Sequence, residues 1–60
     1  MSQLKTLREA LGLSQRELAV QSGVDRTTIS NIERGAAKNV TMRTLEKLSL
    51  PLKCLPKDLL

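Results

Sequence analysis

The stretch 14–35, SQRELAVQSGVDRTTISNIERG, constrains the fold of this chain more than any other segment. Ser14, followed three residues later by Glu17, is the pattern of a capping box at the start of a helix. Gly23 can adopt the left-handed conformation that ends many helices, and Asp25 is well placed to cap the next one. The stretch therefore predicts two short helices joined by a tight turn.

The second helix of this stretch, 25–34, carries a polar arc. On a helical wheel at about 100° per residue the arc spans about 140° and comprises Arg26, Thr27, Ser30, Asn31 and Arg34. Ile29 and Ile32 fall on the opposite side and are predicted to face the core. Such polar side chains contact base edges and phosphates of duplex DNA, although a solvated helix face has the same pattern. The tight turn, the small Ala19 and the net positive charge favour DNA.

Length and composition limit the number of domains and the kind of nucleic acid that the chain could bind. A chain of 60 residues is expected to form one domain, 1–60, of marginal stability that buries only about 60% of its unfolded surface. It contains no Phe, Trp or Tyr, whereas modules for single-stranded nucleic acid and RNA stack bases on such rings. Ten basic residues against six acidic ones give a net charge of +4, which suits a phosphate backbone.

The inventory of reactive side chains argues against an enzyme. There is no histidine, and Cys54 is the only cysteine, so one chain offers no disulfide, zinc site or Cys/His or Ser/His catalytic pair. We expect no catalysis, no metal and no cofactor. A free thiol fits a reducing cytoplasm, and we find no signal peptide and no apolar run long enough for a membrane. A cytoplasmic protein, associated with the nucleoid, is expected.

The first helix is predicted over 2–11, ending at Gly12. Leu4, Leu7 and Leu11 form its apolar stripe. Arg8 lies about 40° from Leu4 at the edge of that stripe.

The stretch 14–35 and its flanks resemble the lambda repressor-like helix-turn-helix family of Cro- and Xre-type regulators. Gln15 opens the first helix of the motif, Glu33-Arg34-Gly35 closes the second, and the matching framework positions are Leu18, Ala19, Gly23, Val24, Ile29 and Ile32. The resemblance extends upstream through LREALGLSQ and downstream through TLEKLSLPL. It implies an all-α, compact bundle of four to five short helices that contains a helix-turn-helix and binds double-stranded DNA.

An ion pair between Arg8 and Glu33 is predicted. Glu33 lies about 40° from Ile29, at the edge of its own apolar side, so the two opposite charges occupy matching borders. The resemblance implies that such a pair is partly buried near the DNA backbone. The alternative is that both side chains are simply exposed.

The resemblance also implies roles for the candidate site residues. In the major-groove geometry of this family, Arg26 would read guanine and Asn31 would pair with adenine. Thr27 would touch a thymine methyl or a phosphate, and Ser30 would reach a base. The residues expected on the DNA backbone are Gln15, Arg34, Arg8, Lys38, Asn39 and Thr41. An ordinary helix start at Gln15 and an ordinary polar loop at 36–40 remain the alternatives.

A fourth helix is predicted to begin with Thr41 as its N-cap. Its inward-facing residues are expected to be Met42, Leu45 and Leu48. Pro51 departs from the family pattern and is predicted to end or kink the helix near residues 49–50, because proline lacks an N–H and its ring clashes. A short helical turn at 57–60 should follow.

The leucine-rich end, residues 50–60, suggests a partner surface. In the resembled family this region commonly forms a homodimer contact, which would pair two reading helices about 34 Å apart on a near-palindromic operator. The function indicated is a sequence-specific transcription regulator, typically a repressor. Two alternatives remain: a simple lid on the core, and an antitoxin or adaptor that grips a partner protein through this end.

Overall fold

The computed structural model describes residues 3–36 and 40–59. Their regular elements are α1 (Gln3–Ala10), α2 (Gln15–Ser22), α3 (Arg26–Glu33), α4 (Met42–Leu52) and a 3-10 helix (Pro56–Leu59). Every regular element within these two ranges is helical, so the predicted all-α bundle is confirmed. The short final turn is confirmed as a 3-10 helix through residue 59, while residue 2 and residue 60 lie outside the described part.

The starts of α2, α3 and α4 are set by side-chain caps. The Oγ of Ser14 accepts from the backbone N–H of Glu17, and the carboxylate of Glu17 accepts from the N–H of Ser14, both at 3.0 Å. The hydrogen bonds from Ser14 lower the pKa of Glu17. Asp25 accepts from the N–H of Thr27 at 3.0 Å, and Thr41 caps α4 in the same way. All three predicted caps are confirmed.

The core takes one fully buried side chain from each α-helix. These are Leu4, Leu18, Ile29 and Leu48. Two residues predicted to face inwards do not. Met42, the first residue of α4, is 55% exposed, and Leu11, which follows the last residue of α1, is 44% exposed, so the core does not cover these two helix ends.

The prediction that Pro51 ends α4 near residues 49–50 is wrong, since the helix continues to Leu52. Proline removes one helical hydrogen bond, to the carbonyl four residues earlier. Here the helix ends within two residues, so little further bonding is lost. Continuing the helix buries Leu52, which is 3% exposed. Together with Leu59 it covers the core, whereas Leu50 and Leu55 point outwards.

The end of α4 is closed by a lysine in a conformation that favours glycine. Lys53 has φ 55° and ψ 43°, and the N–H of Cys54 bonds to the carbonyl of Ser49 at 3.2 Å, which completes a Schellman-type cap. The equivalent left-handed position after α2 is Gly23. A side chain with a Cβ is strained in this region.

Replacing Lys53 by glycine should therefore raise the free energy of unfolding by about 0.5–1 kcal/mol, because relief of this strain exceeds the added freedom of the unfolded chain. Urea unfolding followed by circular dichroism would measure it. Lys47→Gly, within α4, is the control and should lose about 1 kcal/mol. Equal losses in both variants would contradict the argument.

Candidate nucleic-acid interface

The inner face of α3 packs against the core, and this packing leaves its outer face exposed to solvent. Ile29 is fully buried and Ile32 packs against the core, so α3 has a fixed orientation. Arg26 and Thr27 at its start are exposed, and the next turn carries the remaining polar candidates, Ser30 and Asn31, which are half-buried. The polar arc predicted from the sequence therefore lies on one accessible side of the helix.

Arg8 and Glu33 form a bidentate ion pair between α1 and α3. The Nε of Arg8 donates to Oε2 of Glu33 at 2.7 Å, and Nη2 donates to Oε1 at 3.1 Å. The third guanidinium nitrogen, Nη1, donates to the backbone carbonyl of Leu13 at 2.7 Å. The side chains of Arg8 and Glu33 are only 10% and 4% exposed. The pair expected from the sequence is thus present and largely buried.

A third side chain joins this pair. Gln15, the first residue of α2, donates from Nε2 to Oε1 of Glu33 at 3.1 Å. The carboxylate of Glu33, on α3, therefore accepts hydrogen bonds from side chains of both α1 and α2. Because the three helices meet at this group, it fixes the direction in which α3 leaves the turn.

The electrostatics of the cluster keep Glu33 ionised. Burial raises the pKa of a carboxyl group, but the hydrogen bonds from Arg8 and Gln15 lower it, as do the charges of Arg8 and Lys5. Their sum holds the pKa of Glu33 below its ordinary value. The hydrogen bond to Glu33 raises the pKa of Arg8 against the opposing effect of burial.

The lowered pKa of Glu33 predicts a pH dependence. Its contribution to stability is complete above the unfolded-state pKa of about 4.3 and is lost as the pH falls through the lower folded-state pKa. Glu33→Gln should therefore flatten the acid-induced fall in Tm below about pH 4.3. Thermal melts between pH 2 and pH 7 would measure this, with exposed Glu46→Gln as control. Parallel melting profiles for wild type and Glu33→Gln would contradict it.

The remaining backbone candidates are placed differently. Gln15 is half-buried and Thr41 is exposed, although the Thr41 hydroxyl already caps α4. Lys38 and Asn39 lie outside the described residues. Two roles were expected of Arg8; its burial and its engaged guanidinium favour the ion pair over a phosphate contact.

A further contact lies on the outer side of α3. The Nη2 of Arg34 donates to Oδ1 of Asn31 at 2.7 Å. Sequence reasoning assigned these two residues to separate DNA contacts and did not predict the bond. The spacing of three residues, which brings side chains together on a helix, was the available signal.

The described residues show neither a metal-binding group nor a membrane-spanning helix. In ranges 3–36 and 40–59 no cluster of three or more Cys, Asp or Glu side chains could hold a metal ion. Among the same residues no helix is long and apolar enough to cross a bilayer.

The capped α2, the tight turn and the buried inner face of α3 define a helix-turn-helix domain with an accessible second helix. A family model described as helix-turn-helix matches residues 4–59, almost the whole chain. This chain belongs to the helix-turn-helix family, of the Cro and Xre type that the sequence resembles.

Relatives and one solved structure extend the comparison. The control protein C.BamHI of Bacillus amyloliquefaciens is 48% identical over 48 residues, covering 80% of this chain and 58% of that protein. An uncharacterized HTH-type transcriptional regulator of Haemophilus influenzae is 42% identical over 52 residues, covering 87% and 52%. The crystal structure of the restriction-modification controller protein C.AhdI from Aeromonas hydrophila matches with a TM-score of 0.85 and 42% identity, covering 95% of this chain and 85% of that one.

The chain thus spans little more than half the length of these two curated relatives. By their names these proteins are control proteins and transcription regulators.

Proposed function

We propose that this chain is a sequence-specific, double-stranded DNA-binding regulator of transcription that acts as a repressor. The observation that carries this proposal is the polar outer face of α3, held in place from behind by Ile29 and by the Glu33 cluster. The names of the relatives and the likeness to C.AhdI support it. They do not favour the alternative of an antitoxin or adaptor that binds a partner protein through its leucine-rich end, with DNA binding secondary.

In the proposed complex α3 lies in the major groove with its N-terminal residues towards the base edges. Arg26 reads guanine through a bidentate contact, and Asn31 pairs with adenine. Thr27 contacts a thymine methyl or a phosphate, and Ser30 reaches a base. The proposed backbone contacts are Gln15, Arg34, Lys38, Asn39 and Thr41.

We further propose that the protein works as a homodimer on a near-palindromic operator. At the leucine-rich end Leu50 is 79% exposed and Leu55 is 56% exposed, which leaves apolar surface for a second copy. Half-sites would lie one helical turn apart, about 34 Å. The protein would then act in the cytoplasm, at the nucleoid.

Selection of bound duplexes from a random pool at two salt concentrations tests the function. We expect a palindromic site to be enriched at both concentrations, because base contacts add specificity to the salt-dependent attraction of phosphates. Weak binding that disappears with salt and enriches no sequence would refute sequence-specific regulation.

Arg26→Ala should weaken binding to the selected operator by about 1–3 kcal/mol and relax the preference at one base pair. Titrations against operators substituted at each position would locate that pair. Lys47→Ala, which removes one charge from an exposed position of α4, is the matched control and should leave every preference intact. An equal loss on all sequences would make Arg26 a backbone contact instead.

A further inference from the structure

The hydrogen bond between Arg34 and Asn31 fixes the orientation of an amide on the reading face. A guanidinium carries only donors, so the atom of Asn31 that faces Arg34 must be the oxygen, Oδ1. The amide nitrogen, Nδ2, is then directed to the other side of the amide group. Among the described residues no hydrogen bond engages this nitrogen.

This orientation suits the contact proposed for Asn31. Adenine readout requires the amide oxygen to accept from the N6 amino group while the nitrogen donates to N7. A carbonyl oxygen has two lone pairs, so Oδ1 can accept from adenine while it remains bonded to Arg34. The bond is charge-assisted and short, and such bonds are stronger than neutral ones. Because the Asn31 side chain is already held in place before DNA binds, less conformational entropy is lost on binding.

We infer that Arg34 is a positioning residue for base discrimination, acting through the amide of Asn31, an inference that rests on the proposed DNA-binding function. A residue that only touches phosphate changes the affinity for all sequences alike. Arg34, by contrast, contributes to the ratio of affinities between the correct and the substituted base pair.

The test compares wild type, Asn31→Ala, Arg34→Ala, Arg34→Lys and the double alanine variant. The base pair read by Asn31 is the one whose preference is lost in Asn31→Ala. Kd is then measured on the selected operator and on a duplex substituted at that pair, at two salt concentrations. Arg34 is exposed and Asn31 is half-buried, and circular dichroism verifies that each variant is folded.

Arg34→Ala is expected to reduce discrimination at the Asn31 base pair about tenfold, the scale of one good bidentate contact. It should cause no further loss of discrimination in the Asn31→Ala background, because the two residues act as one unit. Arg34→Lys keeps the charge and hence the salt dependence, but lacks the planar fork, so it should still lose discrimination. Arg16→Ala, at an exposed arginine of α2, should leave the ratio unchanged.

Two results would overturn the inference. One is an intact ratio in Arg34→Ala with a uniform loss of affinity, which would make Arg34 a phosphate contact alone. The other is an Asn31→Ala protein that keeps every base preference of the wild type. Failure of the proposed function is distinct, since the wild type itself would then show no preferred sequence.

Discussion

Arg8→Ala is expected to lower the free energy of unfolding by about 3 kcal/mol or more. The substitution leaves the carboxylate of Glu33 in a site where its side chain is only 4% exposed, with Gln15 as its remaining donor. It also removes the partner of the Leu13 carbonyl. A domain this small has a total stability of only a few kcal/mol, so the variant should be largely unfolded at 25 °C. Urea unfolding is best followed by far-ultraviolet circular dichroism, because the chain has no tryptophan or tyrosine.

Two controls distinguish the effect of leaving Glu33 unpaired from the effect of substituting any residue of α1. Gln3→Ala, at an exposed and uncharged residue at the start of α1, should change stability by less than about 0.5 kcal/mol. The double variant Arg8→Met with Glu33→Leu should recover most of the loss, since it leaves no unpaired charge. An Arg8→Ala protein as stable as Gln3→Ala would show that the pair contributes little.

Leu18→Ala is expected to cost about 3–4 kcal/mol, because it removes a fully buried side chain and leaves a cavity. Leu18 belongs to α2, the first helix of the motif, which packs against α3. The cavity should therefore weaken the packing that holds α3 in place. Val20→Ala is the matched control on the same helix, where the side chain is 79% exposed, and should change stability by less than about 0.5 kcal/mol.

DNA binding supplies a second readout for Leu18→Ala. Operator affinity should fall with the folded fraction and recover at lower temperature or with added osmolyte, which strengthens burial. A cost similar to that of Val20→Ala would mean that the core at this position closes without leaving a cavity.

The features predicted correctly are those fixed by neighbours in the sequence. The capping box of Ser14 and Glu17 and the caps at Asp25 and Thr41 depend on backbone groups two or three residues away, so residue type and spacing suffice to find them. The ion pair of Arg8 and Glu33 was also accessible, since helical periodicity placed both at the border of an apolar face.

The features that were missed depend on how far the core extends. Periodicity assigned Met42 and Leu11 to apolar faces, but it cannot show how much of a side chain at a helix end the core covers. At Pro51 the local penalty is offset by the burial of Leu52, a gain set by tertiary contacts. The sequence also does not show which way a side chain points. The hydrogen bonds from Gln15 to Glu33 and from Arg8 to the Leu13 carbonyl are therefore seen only in the structure.

The division of α3 into an inner and an outer side has a consequence for engineering the protein to bind other operator sequences. Ile29, Ile32 and Glu33 secure the helix, whereas Arg26 and Thr27 are exposed and no described side-chain contact of the core depends on them. A library that varies only the outer side should therefore retain the wild-type melting temperature across most of its members. New operator sequences could then be explored on one unchanged scaffold.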